Sequence, residues 1–259
     1  MSVIEKKCYC KINLGLFIKG KRLDGYHEIE TLMVPVQNFY DTLKVQIIPS
    51  NTFEFIQSGI PIDVPVQENI IYKTWKIIKS ELGIEKGIKV ELEKNIPIGS
   101  GLGGGSSNAA QMLFILNELF QLNIEQNTLL RIARILGADV PFFLKNQPLI
   151  ARGIGDEFEE IDFPFPYDVK IIVPPFGSNT KKAYQSLNLK ECSTHKDLKS
   201  ILLGDRTAWK NHLINDFEKP LFKKFPELAS IKKGFYEAGA FYASMTGSGS
   251  AVYGLFEKK

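Results

Sequence analysis

The 259 residues are enough for one large domain or two modest lobes, and folding removes roughly 31,000 Å² from water by area scaling. A composition of 44% hydrophobic and 24% charged residues excludes general disorder. A net charge of +3, evenly spread, excludes the basic patches of nucleic-acid or polybasic membrane binding. Cys8, Cys10 and Cys192 make neither a disulfide framework nor a zinc site, because no second Cys or His pair completes one. The longest uncharged stretch, 95–117, is interrupted by Gly, Ser, Asn and Pro, and the N-terminal MSVIEKKCYC lacks the apolar centre of a signal peptide. The expectation is a soluble protein of a reducing cytoplasm.

Residues 8–18 read as a strand carrying Gly15, followed by a polar loop over 19–27. Residues 42–48 and 52–56 alternate as strands on either side of Pro49, Ser50 and Asn51. From about Asn69 a helix is predicted, with Ile71, Trp75, Ile78 and Leu82 at helical spacing and Gly83 as its stop. Residues 87–93 alternate as a strand and lead through Ile96, Pro97 and Ile98 into a glycine-rich loop. Beyond it Ala109, Met112, Leu113, Leu116 and Phe120 line one helical face. A second helix over 125–136 carries Leu129, Ile132, Ala133 and Leu136 and ends at Gly137. Short strands, Gly and Pro over 151–166 set a lobe boundary, giving lobes of 1–153 and 154–259. The second lobe reads as a strand over 169–173, helices near Thr180 and over 226–237, and a closing hairpin around Thr246, Gly247, Ser248, Gly249 and Ser250. The pattern implies an α/β fold of the α+β type, a sandwich with a largely antiparallel sheet.

The segment from Pro97 and Ile98 through Gly99, Ser100, Gly101, Leu102, Gly103, Gly104 and Gly105 is the most informative. Five glycines in seven residues cost backbone entropy, which is worthwhile where positive φ or close ligand approach is needed. Ser106, Ser107 and Asn108 then open a helix whose free N–H groups and dipole favour an anion, and a polyphosphate is the natural guest. Gly99, Gly101 and Gly104 formally satisfy G-x-G-x-x-G, but here a helix follows the helix where a parallel strand is required. A Walker loop needs Gly-Lys-Ser/Thr, and no lysine stands between Lys94 and Lys145. A flexible linker is the bland alternative, opposed by the strand–loop–helix setting. A nucleoside-triphosphate loop outside both standard motifs is favoured.

With these residues assembled, the sequence resembles the GHMP kinases, a family of small-molecule kinases whose P-x-x-x-G-L-G-S/G-S/G-S-S motif is matched from Pro97 to Ser107. Three further blocks carry the likeness: Lys11-Ile12-Asn13-Leu14 with Arg22-Leu23-Asp24-Gly25-Tyr26-His27 and Thr31-Leu32-Met33; Gly137-Ala138-Asp139-Val140-Pro141-Phe142-Phe143; and Met245 to Ser250. Their combination is similar to the branch of the family that acts on 4-diphosphocytidyl-2-C-methyl-D-erythritol. The resemblance implies an N-terminal lobe like domain 2 of ribosomal protein S5, a ferredoxin-like C-terminal lobe, and ATP-dependent phosphorylation of that substrate's 2-hydroxyl for isoprenoid precursor synthesis.

It also implies roles. Asp139 is the candidate catalytic carboxylate, against the alternative of a helix N-cap before Val140-Pro141. Lys11 is placed beside Asp139 to hold it ionised, against a solvated strand-edge lysine. Asn13 would bond the erythritol hydroxyls. Tyr26 and His27 would hold the cytosine, Tyr184 would stack opposite, and Thr180 would meet the diphosphate. Asn69 and Lys94 lie where the family contacts adenine, though each equally reads as an N-cap or an exposed charge. Gly247 and Ser248 would add donors beside the phosphates. Mg2+ accompanies ATP, with Ser106 as a candidate direct ligand. The partner implied is a small cytidine diphosphate-linked molecule, with no nucleic acid and no membrane. Two other readings stay open: another GHMP kinase, acting on homoserine or mevalonate, and an RNA-binding module sharing the S5-like fold.

Overall fold

An almost uninterrupted buried run from Cys10 to Ile18 marks the strand β1 (Val3–Lys21) as covered on both faces. The computed structural model describes residues 2–194 and 196–258. The chain divides into two compact units, neither of which is one continuous segment. The first comprises Met1–Cys10, Gln37–Ile98 and Gly103–Asn146; the second comprises Lys11–Val36, Gly99–Leu102 and Gln147–Lys259. β1 and its partner β2 (His27–Ile48) each pass from one unit into the other.

In the first unit the end of β2 pairs antiparallel with β4 (Gly87–Lys94), with Val45 opposite Val90. Between them in sequence come β3 (Phe53–Gly59) and helix α1 (Ile70–Leu82). β3 pairs with β4 in parallel, Phe55 against Val90, because α1 supplies the crossover that parallel neighbours require. Asn69 caps α1, its Oδ1 accepting Ile71 N at 2.9 Å, and Gly83 at φ 64° ends it. Ile71, Trp75 and Ile78 are buried, whereas Leu82 in the last turn is exposed. α2 (Gly104–Leu119), α3 (Gln126–Leu136) and α4 (Val140–Lys145) complete this unit. Met112, Leu113, Leu116, Leu129, Ile132 and Phe142 enter its core.

In the second unit the start of β2 pairs antiparallel with β5 (Leu149–Arg152), which pairs with β6 (Glu157–Glu160). After β7 (Tyr167–Ile172) come helices α5 (Thr180–Gln185), α6 (Leu198–Leu203), α7 (Trp209–His212), α8 (Glu218–Lys224) and α9 (Pro226–Glu237). The hairpin β8 (Tyr242–Met245) and β9 (Val252–Glu257) closes an antiparallel sheet in the order β7-β9-β8. Phe217, Leu221, Leu228, Phe235, Met245 and Val252 form its apolar centre. The chain is a mixed α/β protein in which β2–β4, β2–β5, β5–β6, β7–β9 and β8–β9 pair antiparallel and β3–β4 pairs parallel. Among the described residues no helix is long and apolar enough to cross a membrane.

Candidate active site

The glycine loop is held by its carbonyl groups. In the second unit, Gly99 O accepts Ser178 N at 3.0 Å, Ser100 O accepts Ala251 N at 2.9 Å, and Leu102 O accepts Lys11 N at 2.9 Å. Gly101 O lies 3.3 Å from the Thr246 hydroxyl. The Gly99, Ser100 and Leu102 carbonyls are thereby anchored by backbone N–H groups, which fixes the path of a segment that glycine would leave loose. Gly99, Gly101 and Gly103 all have positive φ, at 68°, 80° and 72°. Gly103 precedes α2 and offers no side-chain cap, so the N–H groups of the first turn remain available to an anion at the positive end of the helix.

The Thr246–Gly247 turn and β1 meet at Asn13. Asn13 Oδ1 accepts Lys11 Nζ at 2.7 Å, Gly247 N at 2.9 Å and Thr246 Oγ1 at 3.1 Å, while Nδ2 donates to Thr31 Oγ1 at 3.1 Å. Asn13 is 1% exposed, with its Oδ1 and one Nδ2 hydrogen engaged within the fold. Lys11 is buried too, so it is not the solvated edge lysine of the bland reading. Asn215 supports the same turn from behind, donating to Met245 O and Gly247 O at 2.9 Å each.

The residues expected to meet the nucleotide base and diphosphate gather along α5. The His27 ring stacks on Tyr184, centroids 5.0 Å apart and planes 25° apart, and Tyr184 packs edge-on against Phe217. Thr180 at the start of α5 lies 2.9 Å, hydroxyl to hydroxyl, from Ser248. Tyr26 is exposed on the turn that Gly25 (φ 87°) and the Asp24 carboxylate shape, with Tyr26 N donating to Asp24 Oδ1 at 3.0 Å. Burial, and secondarily the Lys21 charge, push the His27 pKa below the ordinary imidazole value.

In the first unit, Asp139 stands at the N-terminus of α4, where its side chain makes no capping hydrogen bond to the helix. Asn69 caps α1, as one of its two readings held. Lys94 is buried and not the exposed charge of its alternative reading: its Nζ lies 2.5 Å from Asp41 Oδ2. Burial pushes the Lys94 pKa down, and the Asp41 carboxylate partly offsets that. The neighbouring Cys8 thiol is pushed up to about 12, chiefly by burial, so it is an inert core group.

Sequence reasoning left out Asp41 and Asn215, and quoted Thr31 only as part of a motif, without a role. For Asp41 the signal was present: it continues the two-residue period of Leu43 and Val45, as Lys94 continues that of Val90 and Leu92. Both charges therefore fall on the buried face, and the register pairing Thr42 with Glu93 makes them cross-strand neighbours.

Ser107 bears on whether the loop suits a polyphosphate and its cation. Its hydroxyl, in the first turn of α2, is buried without a protein hydrogen-bond partner. Among the described residues no group of three or more His, Cys, Asp and Glu side chains gathers as a metal site. A divalent cation here fits the mode in which phosphates and a few hydroxyl or carboxylate oxygens share the coordination.

Residues 69–147 match the GHMP kinases N terminal domain and residues 193–259 match GHMP kinases C terminal. A relative from Azobacteroides pseudotrichonymphae genomovar. CFP2, a 4-diphosphocytidyl-2-C-methyl-D-erythritol kinase, is 41% identical over 249 residues, covering 96% of this chain and 91% of the relative. One of the same name from Chlorobium chlorochromatii (strain CaD3) is 39% identical over 258 residues, covering 98% and 88%. The crystal structure of a 4-(cytidine 5'-diphospho)-2C-methyl-D-erythritol kinase superposes with a TM-score of 0.85 at 34% identity, covering 98% of this chain and 90% of that one. A homoserine kinase from Cytophaga hutchinsonii ATCC 33406 shares the fold at a TM-score of 0.70 and 18% identity, covering 100% and 86%. With both family domains matched in order and relatives near 40% identical over almost the whole length, this chain belongs to the GHMP kinase family.

Proposed function

We infer that the chain is an ATP-dependent small-molecule kinase that phosphorylates the 2-hydroxyl of 4-diphosphocytidyl-2-C-methyl-D-erythritol, releasing ADP. The observation that carries this reading is the anchored glycine loop opening α2 without a cap, together with likeness of 39–41% to relatives of that activity. The loop amides and the helix dipole receive the β- and γ-phosphates and stabilise the charge that shifts between them during transfer. Asp139, not used as a cap, accepts the attacking hydroxyl's proton, and Lys11 supplies positive charge to the reacting group. Mg2+, when bound, neutralises charge on the β,γ-phosphates; the hydroxyls of Ser106 and Ser107 are the groups of this chain suited to hold it.

Acceptor choice rests on His27 and Tyr184, whose existing stack is of the kind a pyrimidine ring joins, with Tyr26 beside His27 in sequence. Thr180 and Ser248, whose hydroxyls lie 2.9 Å apart, meet the diphosphate of the acceptor, while Gly247, its N–H held by Asn13 Oδ1, shapes the turn that carries Ser248. An alcohol such as homoserine or mevalonate has no ring to use that stack.

An ADP-release assay with Mg-ATP and three acceptors tests the reading: the cytidyl compound, homoserine and mevalonate. Turnover is expected only with the first, with inhibition by millimolar CMP, and Asp139→Asn is expected to lose most turnover with ATP affinity little changed. Turnover with either of the other alcohols overturns the specificity. Near-parental kcat in Asp139→Asn overturns the role of that carboxylate.

A further inference from the structure

We propose that Asp41 is a positioning residue for the nucleotide loop, a single carboxylate that ties the loop's entry to its exit. Its Oδ1 accepts Asn95 N and Ile96 N at 2.8 Å each, the two residues that lead into Pro97. Its Oδ2 accepts Lys94 Nζ at 2.5 Å and Asn108 Nδ2 at 2.9 Å. Asn108 lies one turn inside α2, just beyond the last of the five glycines. The flexible segment is therefore closed at its base, and the entropy of holding it in one shape is reduced before any ligand arrives.

The charge balance fits a positioning role. A carboxylate under an anion site would repel a polyphosphate, but the Lys94 ammonium neutralises it, and both groups are withdrawn from solvent, at 0% and 2% exposure. The ammonium also dictates the residue that begins α2. A Cβ on Gly104 would stand 2.9 Å from Lys94 Nζ and 2.8 Å from Ile96 Cγ2, so the pair fits only beneath a glycine. Asp41 acts through the backbone at 95–96 and through α2, without touching the reacting atoms.

The proposal rests on the reading of the glycine loop as the ATP site and assigns what holds it in shape. Two variants cut the tie in different ways. Asn108→Ala removes the exit contact, and with it the Asn108 hydrogen bond to the buried Cys8 thiol, but leaves the entry contacts in place. Asp41→Ala combined with Lys94→Met removes the entry and exit contacts together while leaving no unpaired buried charge, the condition under which such pairs are replaceable. Mg-ATP affinity is measured by calorimetric titration, acceptor KM by steady-state kinetics, and loop order by amide hydrogen exchange over residues 98–108. The expected result is ATP affinity weakened about threefold to fivefold by Asn108→Ala and about tenfold by the double variant, with faster exchange in the loop. Acceptor KM should stay within about twofold of the parent, a split that general loosening of the protein would not produce.

ATP affinity within about twofold of the parent in a folded variant overturns the proposal, as does equal loss of ATP and acceptor binding. If the double variant does not fold, Asn108→Ala decides alone. A parent protein that does not bind Mg-ATP overturns both this proposal and the nucleotide reading. A parent that binds Mg-ATP but phosphorylates none of the three acceptors overturns only the assigned reaction, and the ATP affinities of the variants still decide the tie.

Discussion

The Lys11 ammonium donates to Asn13 Oδ1 at 2.7 Å, two residues along the same strand and on the same face of it. The same oxygen receives Gly247 N, so one carboxamide orients a buried cation and a glycine turn together. Asn13→Ala removes an acceptor from both and leaves the buried Gly247 N–H unsatisfied, at a cost of about 1–3 kcal/mol of stability. The expected kinetic outcome is a fall in kcat larger than any change in ATP KM, because the disturbed group is Lys11 and not the helix N-terminus. Urea denaturation and steady-state kinetics check this. Stability within about 0.5 kcal/mol of the parent, or an effect confined to ATP KM, would show that the carboxamide does not hold this junction.

Glu159 in β6 joins two cations, Lys199 at 2.7 Å and Arg152, and Arg152 also reaches Glu30 Oε1 at 3.0 Å. The hydrogen bond from Lys199, followed by that from Arg152, holds the Glu159 pKa at about 2. A carboxylate depressed in the folded state contributes stability above its unfolded pKa of about 4.5 and loses it as pH falls toward 2. Glu159→Gln should therefore unfold at a slightly lower temperature than the parent at pH 7, with the difference shrinking below pH 4.5. Because the group is only half-buried, molar salt should shrink the difference at neutral pH as well. A difference indifferent to both pH and salt would mean that Glu159 acts by packing alone.

Long periodic segments were legible in the sequence. The α1 and α3 spans follow from apolar spacing with a cap or a stopping glycine, and the closing hairpin from two short runs around a glycine turn. The first half of β2 was not, because residues 29–34 are buried on both faces and Pro35 interrupts the run, which removes the period-two signal. Helices α6, α7 and α8 escaped for another reason: at 6, 4 and 7 residues they are too short for a helical period to show. In the site, contiguous motifs named the glycine loop, Asp139 and the Tyr26–His27 turn. Asp41 was missed because its partners lie 53 and 67 residues away, on elements whose register the sequence alone does not reveal.

His27 stacks on Tyr184 with its pKa lowered by burial, so the folded protein favours the neutral ring. Between the folded pKa and the unfolded value near 6.5 the unfolded chain binds more protons, and stability rises with pH. Melting temperature should accordingly fall as pH drops through about 6.5, and the penalty is complete below the folded pKa. His27→Gln should flatten that part of the profile and weaken competition by CMP. A variant with the parental slope between about pH 7.5 and 5.5 would place the acid sensitivity elsewhere.

The five glycines of the loop are not equivalent, and two of them make opposite predictions. At Gly101 φ is 80° and an added Cβ would stand 2.1 Å from Thr246 O, a backbone atom with no rotamer by which to yield. Gly101→Ala should cost about 1–3 kcal/mol from backbone strain alone, and more from the clash, while displacing the turn that carries Gly247 and Ser248. Gly105 lies inside α2, with nothing within 4 Å of the added carbon. Gly105→Ala should leave stability unchanged or raise it by up to about 1 kcal/mol, because alanine loses less backbone entropy in a helix. Thermal unfolding of the two variants without ligand separates these cases. Equal destabilisation would mean that loop flexibility, not the close approach of Gly101 to Thr246, is what the glycines provide.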